Sequence, residues 1–154
     1  MPWLNWTQTR EKNLPHRTRI KIRGYHCDAY GHVNNARYLE LLEEARWQYL
    51  EDGLGLNYWS DRGLGFVVAE LRLVYKRPLS PQTVVEIVSE TTQLDGRKGV
   101  IHQVIHDTTR DKVAAVADII FAVIDLKTGR AVEMTGEVRE GFDTIRRTLD
   151  GVGA

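Results

Sequence analysis

The chain has 154 residues, enough for one domain with a buried core, and its 42% hydrophobic and 27% charged residues are ordinary for a globular protein. Its 21 Lys and Arg balance 21 Asp and Glu, so the net charge is zero; this argues against a general nucleic-acid binder, which needs a basic surplus to neutralise phosphates. The single cysteine, Cys27, rules out an intramolecular disulfide and a cysteine-built zinc site.

The amino terminus, MPWLNWTQTREKNLPHR, lacks the apolar run of a signal peptide, and no segment approaches the length of a membrane span. The expectation is a cytoplasmic protein of one domain over 1–154, with a polar lead-in at 1–16 whose Trp3 and Trp6 dock on the body. Residues Thr18 to Tyr25 alternate Ile20 and Ile22 with Arg19, Lys21 and Arg23, which predicts a strand with one wet face. A helix follows. Asn34 is placed to cap it, Val33 and Tyr38 stand at staple positions, and Gly53 suits the stop. Tyr38, Leu42, Ala45 and Tyr49 recur at helical spacing, and Leu39, Leu41, Trp47 and Leu50 widen the apolar stripe, predicting a helix covered on most sides. Four long strands are then predicted near Phe66–Lys76, Thr83–Gln93, Lys98–Thr108 and Val113–Asp125. They are separated by Pro78/Pro81, the hairpin signal Asp95-Gly96, and Arg110-Asp111. A short amphipathic helix is predicted over 137–150. One early strand, one central helix and an antiparallel meander define an α+β class.

The run Arg23 to Arg46 carries the chemistry. Asp28 lies one short loop ahead of the helix start, and a carboxylate facing the amide-rich end of a helix suits attack on, or hydrolysis of, a carbonyl. The carboxylate activates water or attacks directly, and unpaired helix amides stabilise the oxyanion. His32 is a candidate to hydrogen-bond Asp28, orient water or tie the loop. Glu44 is a candidate to order water, against the plainer reading of a solvent-facing helix glutamate. Arg46 reads as an ion-pair partner. Cys27, adjacent to Asp28, points to the other side of an extended segment and is a poor candidate nucleophile. His102 and His106 sit at i, i+4 on one strand face without further ligands, so they read as structural and no metal site is expected.

The segment DAYGHVNNARYLELLEEAR, with D-x-x-G-H-V-N-N joined to Y-L-E-x-x-E-x-A-R, resembles the hotdog-fold thioesterase superfamily that includes 4-hydroxybenzoyl-CoA thioesterase. Within it the chain most resembles the long-chain acyl-CoA thioesterase III (FadM) type. The likeness continues through GFVVAELRLVYKRP and FAVIDLKTGRAVEMTGEVRE, nearly all of the chain after the first twenty residues. It implies a five-stranded antiparallel sheet wrapped around the long helix and a homodimer, or a homotetramer, with sites at the dimer interface. It also implies that Asp28 is the nucleophile or general base and that the backbone amide of Asn35 polarises the thioester carbonyl. Related branches have histidine at the Asn35 position, and plant acyl-carrier-protein thioesterases have an Asp-x-Asn-x-His run where this chain has tyrosine at position 30. Asp28 fits each version.

The expected activity is hydrolysis of medium- to long-chain acyl-CoA to fatty acid and coenzyme A. Coenzyme A enters as part of the substrate, and no metal or redox cofactor is implied. An acyl-acyl-carrier-protein thioesterase, an enoyl-CoA hydratase and a non-catalytic acyl-CoA-binding dimer are the alternatives. Arg72, Lys76, Arg77, Arg97 and Lys98 are candidates to meet the phosphates, and Phe66, Val67, Val68 and Leu71 either line an acyl channel or belong to the core.

Overall fold

A computed structural model of the chain describes residues 15–152; the expectation for Trp3 and Trp6 lies outside those residues. The elements run β1 (His16–Lys21), a 3₁₀ turn at Gly24–His26, α1 (Arg37–Gly53), α2 (Asn57–Ser60), β2 (Leu64–Tyr75), β3 (Val84–Asp95), β4 (Lys98–Asp107), β5 (Lys112–Asp125) and α3 (Gly136–Val152). The strands form one sheet in the order β1-β3-β4-β5-β2, and every neighbouring pair is antiparallel. This is the five-stranded sheet of the hotdog fold.

Alternation along β4 and the first half of β3 gives the sheet an inner and an outer face. Val85, Ile87, Ile101, Ile105, Ala117 and Ile119 point inward and are buried. Outward positions carry cross-strand polar pairs, Arg17 with Glu86 at 2.6 Å and His102 with Asp118 at 2.7 Å. His102 and His106, which faces Asp111, therefore serve the sheet surface. At the β3–β4 hairpin Gly96 takes a φ of +56° as the first central residue, a conformation open to glycine without strain.

The inner face holds α1 through Tyr38, Leu41, Leu42, Ala45, Tyr49 and Leu50. A helix covered on most sides was expected, but Leu39 and Trp47 remain 42% and 45% exposed, so a single sheet covers only one side of it. Polar contacts set its register. Fully buried Gln103 on β4 donates its Nε2 to the Leu42 carbonyl at 3.1 Å and to Ser89 Oγ at 2.9 Å. The Tyr49 hydroxyl meets Thr91 Oγ1 at 2.9 Å. The start of α1 thus lies against β2, where the Tyr38 and Tyr75 rings meet edge to face at 5.0 Å, and its end lies against β3 and β1.

Several boundaries differ from the sequence reading. β1 stops at Lys21, because Ile22 turns to exchange backbone hydrogen bonds with Gln82 and Thr83 and the chain then enters the 3₁₀ turn. Asn34 does not cap α1. It and Asn35 both accept the Ala36 N–H through their side-chain oxygens, so the helix opens at Arg37. Gly53 lies inside the helix, and Gly55, at φ +79°, is the left-handed residue that ends it by donating to the Leu50 carbonyl. The missing side chain of Gly53 has another use: a Cβ there would sit 2.7 Å from Ile145 Cγ1 and 3.2 Å from its Cβ, so the glycine lets α3 dock. Val138, Phe142 and Ile145 of α3 are buried, Ile145 against Gly53 and Phe142 against the Trp59 and Phe121 rings.

An alanine in place of Gly53 gains up to about 1 kcal/mol of helix propensity, less at the last helical position, against about 1–3 kcal/mol for overpacking onto a stiff β-branched residue. Gly53→Ala is therefore expected to lower the denaturant midpoint at unchanged slope. A midpoint at or above the wild-type value would contradict the close α1–α3 approach.

Candidate active site

The connection from β1 to α1 is tied at each step. Arg23 donates its N–H to His26 Nδ1 at 2.9 Å, closing the 3₁₀ turn. Cys27 bridges to Val33, and between them Asp28 N–H donates to the His32 carbonyl at 2.9 Å and Gly31 N–H to the Asp28 carbonyl at 3.0 Å. Asp28 Oδ1 accepts the Tyr30 N–H at 2.9 Å, an Asx turn that fixes the carboxylate, and Gly31 supplies the required φ of +75°. Two further bonds join this loop to its surroundings: Val33 N–H to the Leu79 carbonyl at 2.9 Å and Asn34 N–H to the His26 carbonyl at 2.8 Å.

The result is an exposed carboxylate on a fixed loop immediately before a helix start. Asn35, the first residue past that last bond, is exposed, and its N–H has no acceptor among the described residues. Its carbonyl accepts the Tyr75 hydroxyl at 2.8 Å, so β2 anchors the peptide group next to the free amide. His32 shares the Asp28 loop through its backbone, while its exposed side chain makes no hydrogen bond to the Asp28 carboxylate. Glu44 lies on the exposed side of α1, two turns further on, and engages no described residue. Cys27 is no thiolate candidate, since burial and then the Asp28 charge push its thiol up.

Two hollows flank the helix. The first, of about 280 Å³, is shallow and brings Asn35, Tyr38 and Tyr75 together with Lys76 and Arg77. Those are two of the five proposed phosphate ligands. Arg72 instead stands opposite Asp118 on the outer face, and Arg97 and Lys98 lie at the distant β3–β4 hairpin, where Arg97 pairs with Glu133 at 3.3 Å. The second hollow, of about 110 Å³, opens between α1 and the start of β2. Phe66, Val67 and Val68 line it, whereas Leu71 does not; Glu43, Arg46, Trp47, Phe121 and Phe142 are among its other walls.

Sequence reasoning missed Tyr75 and misjudged Arg46. Nothing in the chain signals that the Tyr75 hydroxyl reaches a carbonyl 40 residues away. The sequence pattern makes Arg46 an ion-pair residue, but its hydrogen bond runs from Nη1 to the neutral Gln103 Oε1 at 3.0 Å. The inward parity of Gln103 between Ile101 and Ile105 was the available signal.

Among the described residues no group of three or more His, Cys, Asp and Glu gathers as a metal site, and no helix is long and apolar enough to cross a membrane. The arrangement has the parts for acyl transfer to water: a positioned carboxylate, a free helix-start amide, an apolar hollow and a cationic one. The chain belongs to the thioesterase-like superfamily, whose model matches residues 22–142. It is similar to the long-chain acyl-CoA thioesterase FadM of Escherichia coli (strain K12), with 45% identity over 128 residues that span 83% of this chain and 97% of the relative. In three dimensions it is similar to YbaW, a probable thioesterase from Escherichia coli, at a TM-score of 0.79 and 43% identity, covering 84% of this chain and 98% of that one. It shares the fold alone with SAV2348 of Staphylococcus aureus, solved in complex with CoA, at a TM-score of 0.77 and 12% identity over 88% of this chain and 86% of that one.

His26 is buried, and that burial, then the Arg37 charge and, against Glu40, the Arg23 charge hold its imidazole below the usual range. The native state therefore binds fewer protons here than the unfolded chain does. The His26 contribution is fully present above about pH 6.5 and is lost as pH falls below it. Protonation also removes the Nδ1 acceptor of the Arg23 N–H. Lowering the pH from about 7.5 to about 5 is expected to reduce stability in denaturant titrations more for wild type than for His26→Asn, whose amide oxygen still accepts. Equal losses in both proteins would remove His26 as the cause.

Proposed function

We propose that this protein is an acyl-CoA thioesterase that hydrolyses medium- to long-chain acyl-CoA to free fatty acid and coenzyme A. The observation that carries the reading is the Asp28 carboxylate, held by its Asx turn one short loop ahead of the unpaired Asn35 N–H. Kinship with a curated long-chain acyl-CoA thioesterase at 45% identity supports it. The thioester oxygen accepts the Asn35 amide. Asp28 takes a proton from water as that water attacks the carbonyl carbon, or attacks it directly to give a mixed anhydride that water then opens. The tetrahedral intermediate collapses with release of the coenzyme A thiolate, a good leaving group that needs no dedicated acid, and the proton on Asp28 returns to solvent or thiolate. His32 and Glu44 support by ordering water. Lys76 and Arg77, beside Asn35, receive phosphate charge, and the hollow behind Phe66 and Val68 receives the acyl chain.

The working unit is a homodimer, with a homotetramer as the next order of assembly, in the cytoplasm. β2 is an edge strand that carries exposed Val67, Val68, Val74 and Tyr75, a row of unpaired backbone and apolar side chains of the kind that pairs with another chain. Sedimentation equilibrium is expected to return twice or four times the chain mass, and a strict monomer at micromolar concentration would end this part of the proposal.

Thiol release from saturated acyl-CoAs, C4 to C18, tests the activity. Turnover is expected to rise toward medium and long chains, and Asp28→Asn to lower kcat by about 10²–10⁴-fold while substrate still binds. His32→Ala and Glu44→Ala are expected to cost less, and Arg77→Glu to raise KM more than it changes kcat. A wild-type protein that turns over no acyl-CoA would sink the proposal, leaving acyl carrier protein substrates or pure binding.

A further inference from the structure

The hollow between α1 and β2 is lined mostly by hydrocarbon, yet it contains one guanidinium. Arg46 is half-buried, and that burial lowers its pKa against the opposing effect of Glu43. Of its five N–H donors one is used, by Gln103 Oε1 at 3.0 Å; the rest have no hydrogen-bond acceptor among the described residues. Arg46 is also held in place from behind, because Gln103 is itself locked by the Leu42 carbonyl and by Ser89, both groups buried under the helix. An arginine satisfied by its neighbours would not line an apolar hollow with one described hydrogen bond.

A plain hydrocarbon chain entering this hollow gains apolar contact but strips water from those donors without replacing it, so part of the gain is lost. An oxygen on the chain would replace the water. The charge balance narrows its identity. Glu43 lines the same hollow, fixed by Trp47 Nε1 at 3.3 Å, so a carboxylate on the ligand would face a like charge whereas a neutral hydroxyl or ketone would not.

We propose that Arg46 is a specificity residue that reads a neutral oxygen, a hydroxyl or ketone, in the distal part of the acyl group. This deepens the thioesterase reading and rests on it for the placement of the thioester. From Arg37 to Arg46 the helix rises about 14 Å. The arginine side chain leans back toward the helix start, and with carbon–carbon bonds of about 1.5 Å the oxygen falls on the order of ten carbons from a thioester held at Asn35.

The test compares dodecanoyl-CoA with 10-hydroxydodecanoyl-CoA, in kcat/KM, for wild type and Arg46→Met. Wild type is expected to favour the hydroxylated ester about ten- to hundredfold, and Arg46→Met to lose that preference and favour the unsubstituted ester. A purely structural role for Arg46 would lower both substrates together at a constant ratio, and that result overturns the proposal. Calorimetric titration of wild type with dodecanoate and 10-hydroxydodecanoate gives a second readout that needs neither turnover nor a folded variant. Tighter binding of the hydroxy acid supports the proposal, and equal or weaker binding overturns it. If neither ester is hydrolysed, the thioesterase reading fails and the titration alone decides on Arg46. If both are hydrolysed with the unsubstituted ester equal or better, only the Arg46 assignment fails.

Discussion

The burial of one face of α1 against the inner face of the sheet is the constraint from which the rest follows. Tyr38, Leu41, Leu42, Ala45 and Tyr49 leave water together, and each fully buried large side chain contributes about 1.5–3 kcal/mol. Hydrophobic contact alone would let the helix slide along its axis. The Gln103 amide prevents that, because it finds its acceptors only where the Leu42 carbonyl and Ser89 stand over it. With the register set, the helix start is carried to the end of β2, where Tyr75 meets Asn35, and the middle of the helix to the start of β2, where the apolar hollow opens.

The same packing explains why the helix start offers an unpaired amide. A helix end tucked into a core must have its first N–H groups paired. Here Asn34 and Asn35 satisfy Ala36 with their side chains, and the His26 carbonyl takes the Asn34 N–H, while the Asn35 N–H stays open to solvent. An amide left free on a surface is cheap, since water can pair with it, and becomes valuable when a ligand oxygen displaces that water. The Asp28 loop is rigid for a complementary reason. Its own backbone bonds, the Asx turn and glycine at position 31 fix it without burying the carboxylate, which remains exposed.

Much of this was legible residue by residue. The alternation of Val85, Ile87 and Ser89, and of Ile101, Gln103 and Ile105, marks strands with one inward face, and Asp95-Gly96 marks their hairpin. The apolar spacing of Tyr38, Leu42, Ala45 and Tyr49 marks the helix and its inner side. Local signals misled where a tertiary partner offered a better contact. Asn34 has the chemistry of a cap, yet its main chain is drawn to His26 and its side chain to Ala36. Gly53 has the chemistry of a stop, yet its lack of a side chain is used to admit Ile145, and Gly55 ends the helix.

The sequence by itself determined the α+β class, the single sheet with its central helix, and the placing of Asp28 one short loop ahead of the helix start, because these depend on periodicity and near-neighbour chemistry that any reading of the chain exposes. Only the tertiary structure decided which basic residues share a hollow with Asn35, that the Tyr75 hydroxyl anchors its peptide, and that Arg46 donates to the Gln103 amide rather than to a carboxylate. Those relations join residues 40 to 61 positions apart in the chain. They exist only once the sheet has chosen its strand order and the helix its register, and no local pattern encodes that choice.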